Sequence, residues 1–430
     1  MPTTTTTGQD PRPRAQFHTP TVISLQLALA ALLALGCNGH STPPEASTSS
    51  AEASSGGVKE GALEATDVAM EATDAAGGEQ ETAKGTNDEA IERSADGSES
   101  GADSVVAADE EWREHFWSSP QDPPTEFLDA VSPELTGRHY LASDEWNVHL
   151  FIQDIENLGG AYVGVGTDQA YLFIGWQKPE YAWLVDYDPW VVALHRAYGV
   201  FFDKAETPEE FRAFLSTKSL DGTEALLREQ FAGDKDAHLI RLAFRKARRR
   251  AASRLQKLQE QLDGLGIKGF INDQDTYDAV RTRVRAGKVR PMLANLLETK
   301  GLRGIGAAAK ALDVPIRVLY LSNAEEYWKY TDNYRQNIAG LPFDERSVVL
   351  RAISSQPKNN DYHYFVQGAL NYLTWLAEPR IDSVFYVARR RRIKSMDDIP
   401  FRRITEGPES GLERKRKHAD RDLPPDDQDQ

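Results

Sequence analysis

The most specific chemical pattern in the 430-residue chain is made by three residues. Gly164 and Gly166 close one apolar run, and Asp186 ends the next, 20 residues beyond Gly166. Glycines at such a place let a ligand approach the backbone at the positive end of a helix. An acid at the end of the following strand accepts hydrogen bonds from ribose hydroxyls. Gln169 stands where a G-x-G-x-x-G motif has its third glycine, which crowds a dinucleotide pyrophosphate but is better tolerated by adenosylmethionine, a ligand without phosphate. Thr167 and Asp168 fall where a side chain either meets the ligand or caps the helix. A second group, Asn323, Glu326 and Tyr327, follows a later apolar run, where enzymes of this architecture place catalytic or substrate-contacting groups. His363, between two tyrosines, reads either as a base or as a satisfied buried histidine.

The elements that must position these residues read as an α/β alternation. Ala161 to Val165 is a strand, Gln169 to Trp176 a helix, Tyr181 to Val185 a strand and Trp190 to Phe201 a helix with Asp188 as N-cap and Pro189 at its first position. Two strands joined by one helix form a βαβ unit with parallel pairing. Thr207-Pro208-Glu209-Glu210 reads as a capping box. Phe244, Ala247, Ala251, Leu255, Leu258 and Leu262 recur at helical spacing over Ala237 to Asp263, with Gly264 as the stop. Strands are expected at Lys288 to Ala294, Pro315 to Leu321, Arg346 to Ile353 and Val384 to Val387, and helices over Leu302 to Leu312, from about Ala324, and over Asp361 to Leu376. The fold class is thus a Rossmann-like, doubly wound, mostly parallel sheet over 111 to 405 with a helical insertion at about 203 to 280.

Leu184-Val185-Asp186-Tyr187-Asp188-Pro189 resembles the class I methyltransferase motif in which an acid ends strand two and a capping residue plus proline opens the next helix. The segments Gly160 to Gln169, Leu184 to Asp186, Leu319 to Tyr327, Leu341 to Ser347 and Tyr362 to Tyr364 also resemble an uncharacterised bacterial family, known from leptospires and relatives, with a methyltransferase-like Rossmann core. The resemblance implies S-adenosylmethionine as cofactor, held by Gly164, Gly166, Asp168 and Asp186. It also implies adenine recognition after strand three, where Asn295 follows Ala294 in place of the family's usual Gly-Asp. Asn323, Glu326, Tyr327 and His363 are then the candidates for catalytic roles.

Cys37 is the only cysteine, which excludes an internal disulfide framework, a multi-cysteine zinc site and an iron–sulfur cluster, and the nine histidines show no metal-ligand spacing. Gly304 to Lys310 is a small-residue helix face rather than a phosphate loop, and no G-x-S-x-G occurs. The Arg248 to Arg250 and Arg389 to Arg392 runs lack interleaved aromatics and read as solvated faces, so no nucleic-acid partner is expected.

Ahead of Cys37, Thr21 to Leu35 is uncharged and mostly apolar. As a helix it covers only about 22 Å, short of the roughly 30 Å hydrocarbon core, and so reads as a signal-peptide core rather than a membrane span. Ala34-Leu35-Gly36-Cys37 resembles a bacterial lipoprotein signal, which implies lipidation of Cys37, a membrane anchor in the cell envelope, and, with Asn38 rather than Asp following, the outer membrane. Residues 1 to 36 are then the signal and 37 to 110 an acidic tether. Residues 41 to 110 hold 17 Asp and Glu against Lys59, Lys84 and Arg93, which accounts for 14 of the 16 net negative charges. A segment so poor in apolar side chains cannot offset its ordering entropy. Residues 406 to 430, charged and proline-bearing, read as a disordered tail.

Two functions compete at this level: an adenosylmethionine-dependent methyltransferase, and a non-catalytic binding or structural lipoprotein of the envelope that retains the fold. The anchor is testable apart from either. Cys37→Ser is expected to abolish incorporation of a fatty-acid analogue and to release the chain from membranes on fractionation; equal membrane association of both forms contradicts the lipoprotein reading.

Overall fold

The computed structural model describes residues 111–124, 137–355 and 359–422, with side chains up to 417. The signal, Cys37 and the tether expected over 37 to 110 lie outside the described residues. Within 111 to 422 the chain runs β1 (Ala161–Val165), α1 (Gln169–Gln177), β2 (Tyr181–Asp186), α2 (Pro189–Lys204), α3 (Pro208–Ala213), α4 (Leu220–Gln230), α5 (Ala237–Leu265), α6 (Gln274–Arg285), β3 (Val289–Leu293), α7 (Gly301–Ala311), β4 (Ile316–Tyr320), α8 (Asp332–Ala339), β5 (Val348–Ser354), β6 (Tyr362–Gly368), α9 (Ala369–Ala377), α10 (Val384–Val387), β7 (Phe401–Ile404) and α11 (Pro408–Asp422).

The strands form one seven-stranded sheet in the order β3-β2-β1-β4-β5-β6-β7. The first five are parallel to one another, β6 is antiparallel to β5, and β7 is parallel to β6. The order 3-2-1-4-5 is that of a doubly wound nucleotide-binding sheet, and the architecture is Rossmann-like as expected. Strands buried on both faces need continuous apolar runs, and the side chains of each run divide by alternation. Tyr162, Ala182 and Leu184 face one core, and Ala161, Val163, Trp183 and Val185 the other. On the first face α1, α2, α3, α5 and α6 cover the sheet; on the second lie a helix over 111–118 with α7, α8, α9 and α10.

Local chemistry sets the element ends. Asp188 Oδ1 accepts the Trp190 amide at 2.9 Å and Pro189 opens α2. Thr207 Oγ1 accepts the Glu210 amide at 3.2 Å, and Glu210 returns a bond at 2.6 Å to Glu206 rather than to the cap residue, so the capping box is displaced by one position. All six apolar positions expected along α5 are buried. Helices α3 to α6 form the expected insertion between β2 and β3.

Several sequence expectations fail. Helix α5 continues through Gly264 and stops at Gly266, which takes the left-handed conformation at φ 66°. Asp361 to Leu376 is a strand followed by a helix rather than one helix, because β-forming Tyr362 to Val366 pairs in register with β5. Val384 to Val387 is a helical turn instead of a strand, and the helix expected from Ala324 is only a 3₁₀ turn, Ala324–Tyr327, before α8. Strand β7 has too little apolar character to stand out. Arg248 is buried against Thr217, while Arg249 and Arg250 are exposed.

The expected disordered tail instead carries α11, which docks on α10 and α9. Leu412 is buried, Trp375 Nε1 donates to the Glu406 carbonyl at 3.0 Å, and Arg414 donates to the Tyr386 carbonyl. A Cβ at Gly411 would lie 2.6 Å from the Trp375 ring and 2.8 Å from the Tyr386 carbonyl oxygen. Gly411→Ala is therefore expected to destabilise the protein by about 1–3 kcal/mol in urea unfolding. An undocked helix would instead gain about 1 kcal/mol from the better helix former, so the sign of the change decides whether α11 is packed.

Candidate functional site

The carboxyl ends of β1, β2, β3 and β4 open onto one cleft, at the point where chain order reverses between β1 and β4 and where open α/β sheets bind ligands. Its cavity volume is about 190 Å³. The loop after β1 is its floor. Gly166 has φ 92°, a conformation L side chains rarely adopt, and a Cβ there would lie 2.2 Å from Gln169 Nε2. Gly164 is needed for a different reason, since a Cβ would meet the folded-back Tyr162 hydroxyl at 2.1 Å.

Gln169 closes the loop on itself. Its Oε1 accepts the Thr167 amide at 3.1 Å, and its Nε2 reaches the Val165 carbonyl at 3.5 Å. The Gly166 carbonyl accepts from His195 Nε2 at 2.8 Å, and the Tyr171 hydroxyl donates to His195 Nδ1 at 2.9 Å. Burial lowers the His195 pKa to about 4, so the ring is neutral. A carbonyl can only accept, which fixes the proton on Nε2. The Gly166 amide faces the carboxylate of Asp186, which also receives the Asp188 amide at 3.0 Å and that of Tyr187. The amides of Gly166 and Thr167, which would hold a phosphate in a dinucleotide site, are thus both engaged by the protein.

The remaining wall is acidic. Asp144, Glu145, Asp186 and Asp188 line the cleft with Arg138. Burial pushes the Asp186 carboxyl up to about 7 against the pull of its backbone bonds, and pushes Glu145 up to about 8. Glu145 accepts from the Tyr320 hydroxyl and, at 2.5 Å, from Ser322 Oγ, while Asp144 accepts the Tyr362 hydroxyl at 2.9 Å. Asp188 is held by His139 Nδ1 at 2.9 Å. Among the described residues no group of His, Cys, Asp and Glu is placed to hold a metal ion.

Of the residues singled out in the sequence, the cleft brings together Gly166, Thr167, Asp186, Asn295, Asn323 and Tyr327, with the Asn323 amide donating to the Tyr327 hydroxyl at 3.3 Å. Four others lie off its wall. Gly164 sits one step down the strand, against Tyr162. Asp168 is buried and faces away from the cleft: its oxygens take the Ser143 amide at 2.8 Å, the Thr167 hydroxyl at 3.2 Å and Arg254 Nε at 3.3 Å. Glu326 turns to the end of β5, where it accepts the Ser354 amide at 2.8 Å. His363 is buried on the opposite face of β6 from Tyr362 and stacks on Phe365 at 6.2 Å. The alternation of β6 explains this: its odd and even residues face different cores.

The sequence reading missed Arg138, Tyr140, Asp144, Glu145, Tyr187, Ser322, Trp328 and Tyr362. Segment 138 to 146 enters the site from ahead of β1 with no motif, and its density of aromatic and acidic residues was its only signal.

The sheet order, the switch-point cleft and the acid ending β2 define a Rossmann-like α/β domain with a ligand-sized site. The chain belongs to the family described as "Domain of unknown function (DUF7790)", which matches residues 140–405. A comparison with curated proteins found no match.

The buried Glu145 has a consequence for stability. In the unfolded chain its carboxyl releases its proton near pH 4.5, whereas in the folded protein it holds it to about 8. Between those values the folded state carries the extra proton, so stability is lost as pH rises from 4.5 to about 8. Glu145→Gln is expected to flatten this dependence by about 4–5 kcal/mol, measured by urea unfolding at the two ends of the window. Parallel pH dependences for wild type and variant would show Glu145 ionised throughout.

Proposed function

We propose that the cleft binds adenosylmethionine or a close adenosyl relative and that the domain is methyltransferase-like. The observation that carries this reading is Asp186, which ends β2 beside the Gly166 amide and faces the cleft at the switch point. The donor set fits such a ligand better than a nucleotide phosphate: the amides of Gly166 and Thr167 are engaged, and four carboxyl groups face one arginine. Asp186 would accept the ribose hydroxyls, and the Asn295 amide, after β3, would meet the adenine edge. Asn323 and Tyr327, after β4, would flank the acceptor. Bound there, adenosylmethionine supplies an electrophilic methyl group.

A second reading is a non-catalytic envelope protein that keeps the fold and binds a ligand without turning it over. It is favoured by the signal-like Thr21 to Leu35 run and Cys37, because adenosylmethionine is a cytoplasmic metabolite. Under it the chain is a lipid-anchored protein of the cell envelope, on the outer membrane.

Titration calorimetry with adenosylmethionine and its demethylated product tests the adenosyl site, and a methyl-transfer assay separates the two readings. Asp186→Ala is expected to weaken binding by about 1.5–3 kcal/mol, roughly ten- to hundredfold. Binding followed by methyl transfer to an added acceptor supports the enzyme, and binding alone supports the second reading. Absence of heat and of any thermal shift at millimolar ligand for the folded protein removes the adenosyl ligand altogether.

A further inference from the structure

The lining of the cleft has a composition that ribose and adenine do not call for. Tyr140 lies ahead of β1, Tyr187 follows β2, Tyr327 and Trp328 follow β4, and Tyr362 begins β6, yet all five line the same cavity. Five aromatic rings thus converge from four stretches of chain. Among the described residues the rings of Tyr140, Tyr187, Tyr327 and Tyr362 make no ring contact with one another; Tyr362 packs instead on Tyr364. They border a space rather than filling it.

Their polar groups are sparsely used. The Tyr362 hydroxyl donates to Asp144 Oδ1 at 2.9 Å, and Tyr327 receives only the Asn323 amide at 3.3 Å. The indole N–H of Trp328 is buried and has no hydrogen-bond partner among the described residues. Tyr140 is 43% exposed, which is unusual for so large an apolar ring with no ring neighbour. The Tyr187 hydroxyl is pushed up to about 12 by burial, with Asp186, Asp188, Tyr140 and Tyr327 all close enough to add to it.

Three ligand chemistries can be compared at such a place. An anion would meet a wall of carboxyl groups, of which Glu145 and Asp186 hold protons near neutral pH, with Arg138 the one basic side chain among the lining residues. A neutral hydrocarbon would cover the rings but strip water from Asp144 without compensation. An organic cation satisfies both: its charge meets the aromatic faces and the Asp144 carboxylate, and its methyl or methylene groups meet the ring surfaces.

We propose that Tyr140, Tyr187, Tyr327, Trp328 and Tyr362, which line the cleft together with Asp144, form a subsite for an organic ammonium group, distinct from the position assigned above to the adenosyl ligand. The subsite stands on the lining of the cleft and does not require that an adenosyl ligand bind beside it. Were methyl transfer established, this is where an amine-bearing acceptor would sit.

Choline and its neutral isostere 3,3-dimethylbutan-1-ol are the probes, titrated by calorimetry into the full-length protein. Choline is expected to bind about tenfold or more tightly than the isostere, whose shape is the same and whose charge is absent. Asp144→Asn and Tyr327→Leu should each weaken choline about tenfold, while Tyr327→Phe, which keeps the ring, should retain it; far-ultraviolet circular dichroism checks that each variant is folded. Equal binding of the two probes, or no choline binding by the folded wild type at millimolar concentration, overturns the inference without reference to any variant. A repeat in the presence of saturating adenosylmethionine tests separateness: unchanged choline affinity supports a distinct subsite, and competitive loss shows that the rings serve the sulfonium instead. Choline binding without adenosyl binding leaves this subsite standing and removes the methyltransferase reading; the opposite result removes the subsite alone.

Discussion

The site depends on one buried ion pair. Arg254, on the inward face of α5, meets Asp168 at 3.3 Å, and their side chains are 2% and 1% exposed. Neither charge has water to fall back on, so removing one partner would leave the other buried and uncompensated, a loss of roughly 3–5 kcal/mol. The pair also joins segments far apart in sequence. Asp168 holds the Ser143 amide, and Arg254 donates to the Glu145 carbonyl at 2.6 Å while its guanidinium lies 4.2 Å from the Trp146 ring centroid. The loop after β1, the segment bearing Asp144 and Glu145, and the helical insertion are thereby fixed together. That gives the long insertion a purpose in the fold: it brings a cation to the back of the glycine loop.

Desolvation sets the chemistry of the cleft. Carboxyl groups crowded into a poorly hydrated wall hold their protons well above their ordinary range, as Glu145 and Asp186 do. Near neutral pH such a protonated carboxyl can donate as well as accept a hydrogen bond, whereas an ionised carboxylate can only accept. Beneath the sheet a buried carboxyl has a cation as its partner. Glu325 and Arg351 are wholly buried, but they meet at 2.6 Å and Glu325 also takes the hydroxyls of Tyr330, Tyr334 and Tyr372, so charge is balanced in place.

What the sequence made legible were the features encoded by neighbours along the chain. β1, β2, the Asp188 cap with Pro189, and the apolar stripe of α5 all declare themselves within a few residues, and with them Gly166 and Asp186 could be placed at strand ends. What stayed hidden depends on partners distant in sequence. Asp168 looked like a cap or a ligand because Arg254, which claims it, lies 86 positions away. His363 looked available because the pairing of β6 with β5, which turns it away from the cleft, carries no local mark. The tail looked disordered because α11 is polar on most of its surface and is held by Trp375 and a few backbone carbonyls. The acidic and aromatic wall from 138 to 145 had no motif, only composition.

The self-closed glycine loop also bears on how the site could be re-engineered. A dinucleotide-binding variant would need the amides of Gly166 and Thr167 free at once. Replacing Gln169 alone would release only the second of these, because Asp186 faces the first and His195 holds the Gly166 carbonyl from behind. More than one substitution would therefore be needed before the backbone of this loop could cradle a phosphate, whereas the acidic and aromatic side chains of the cleft wall can be exchanged without unmaking the loop.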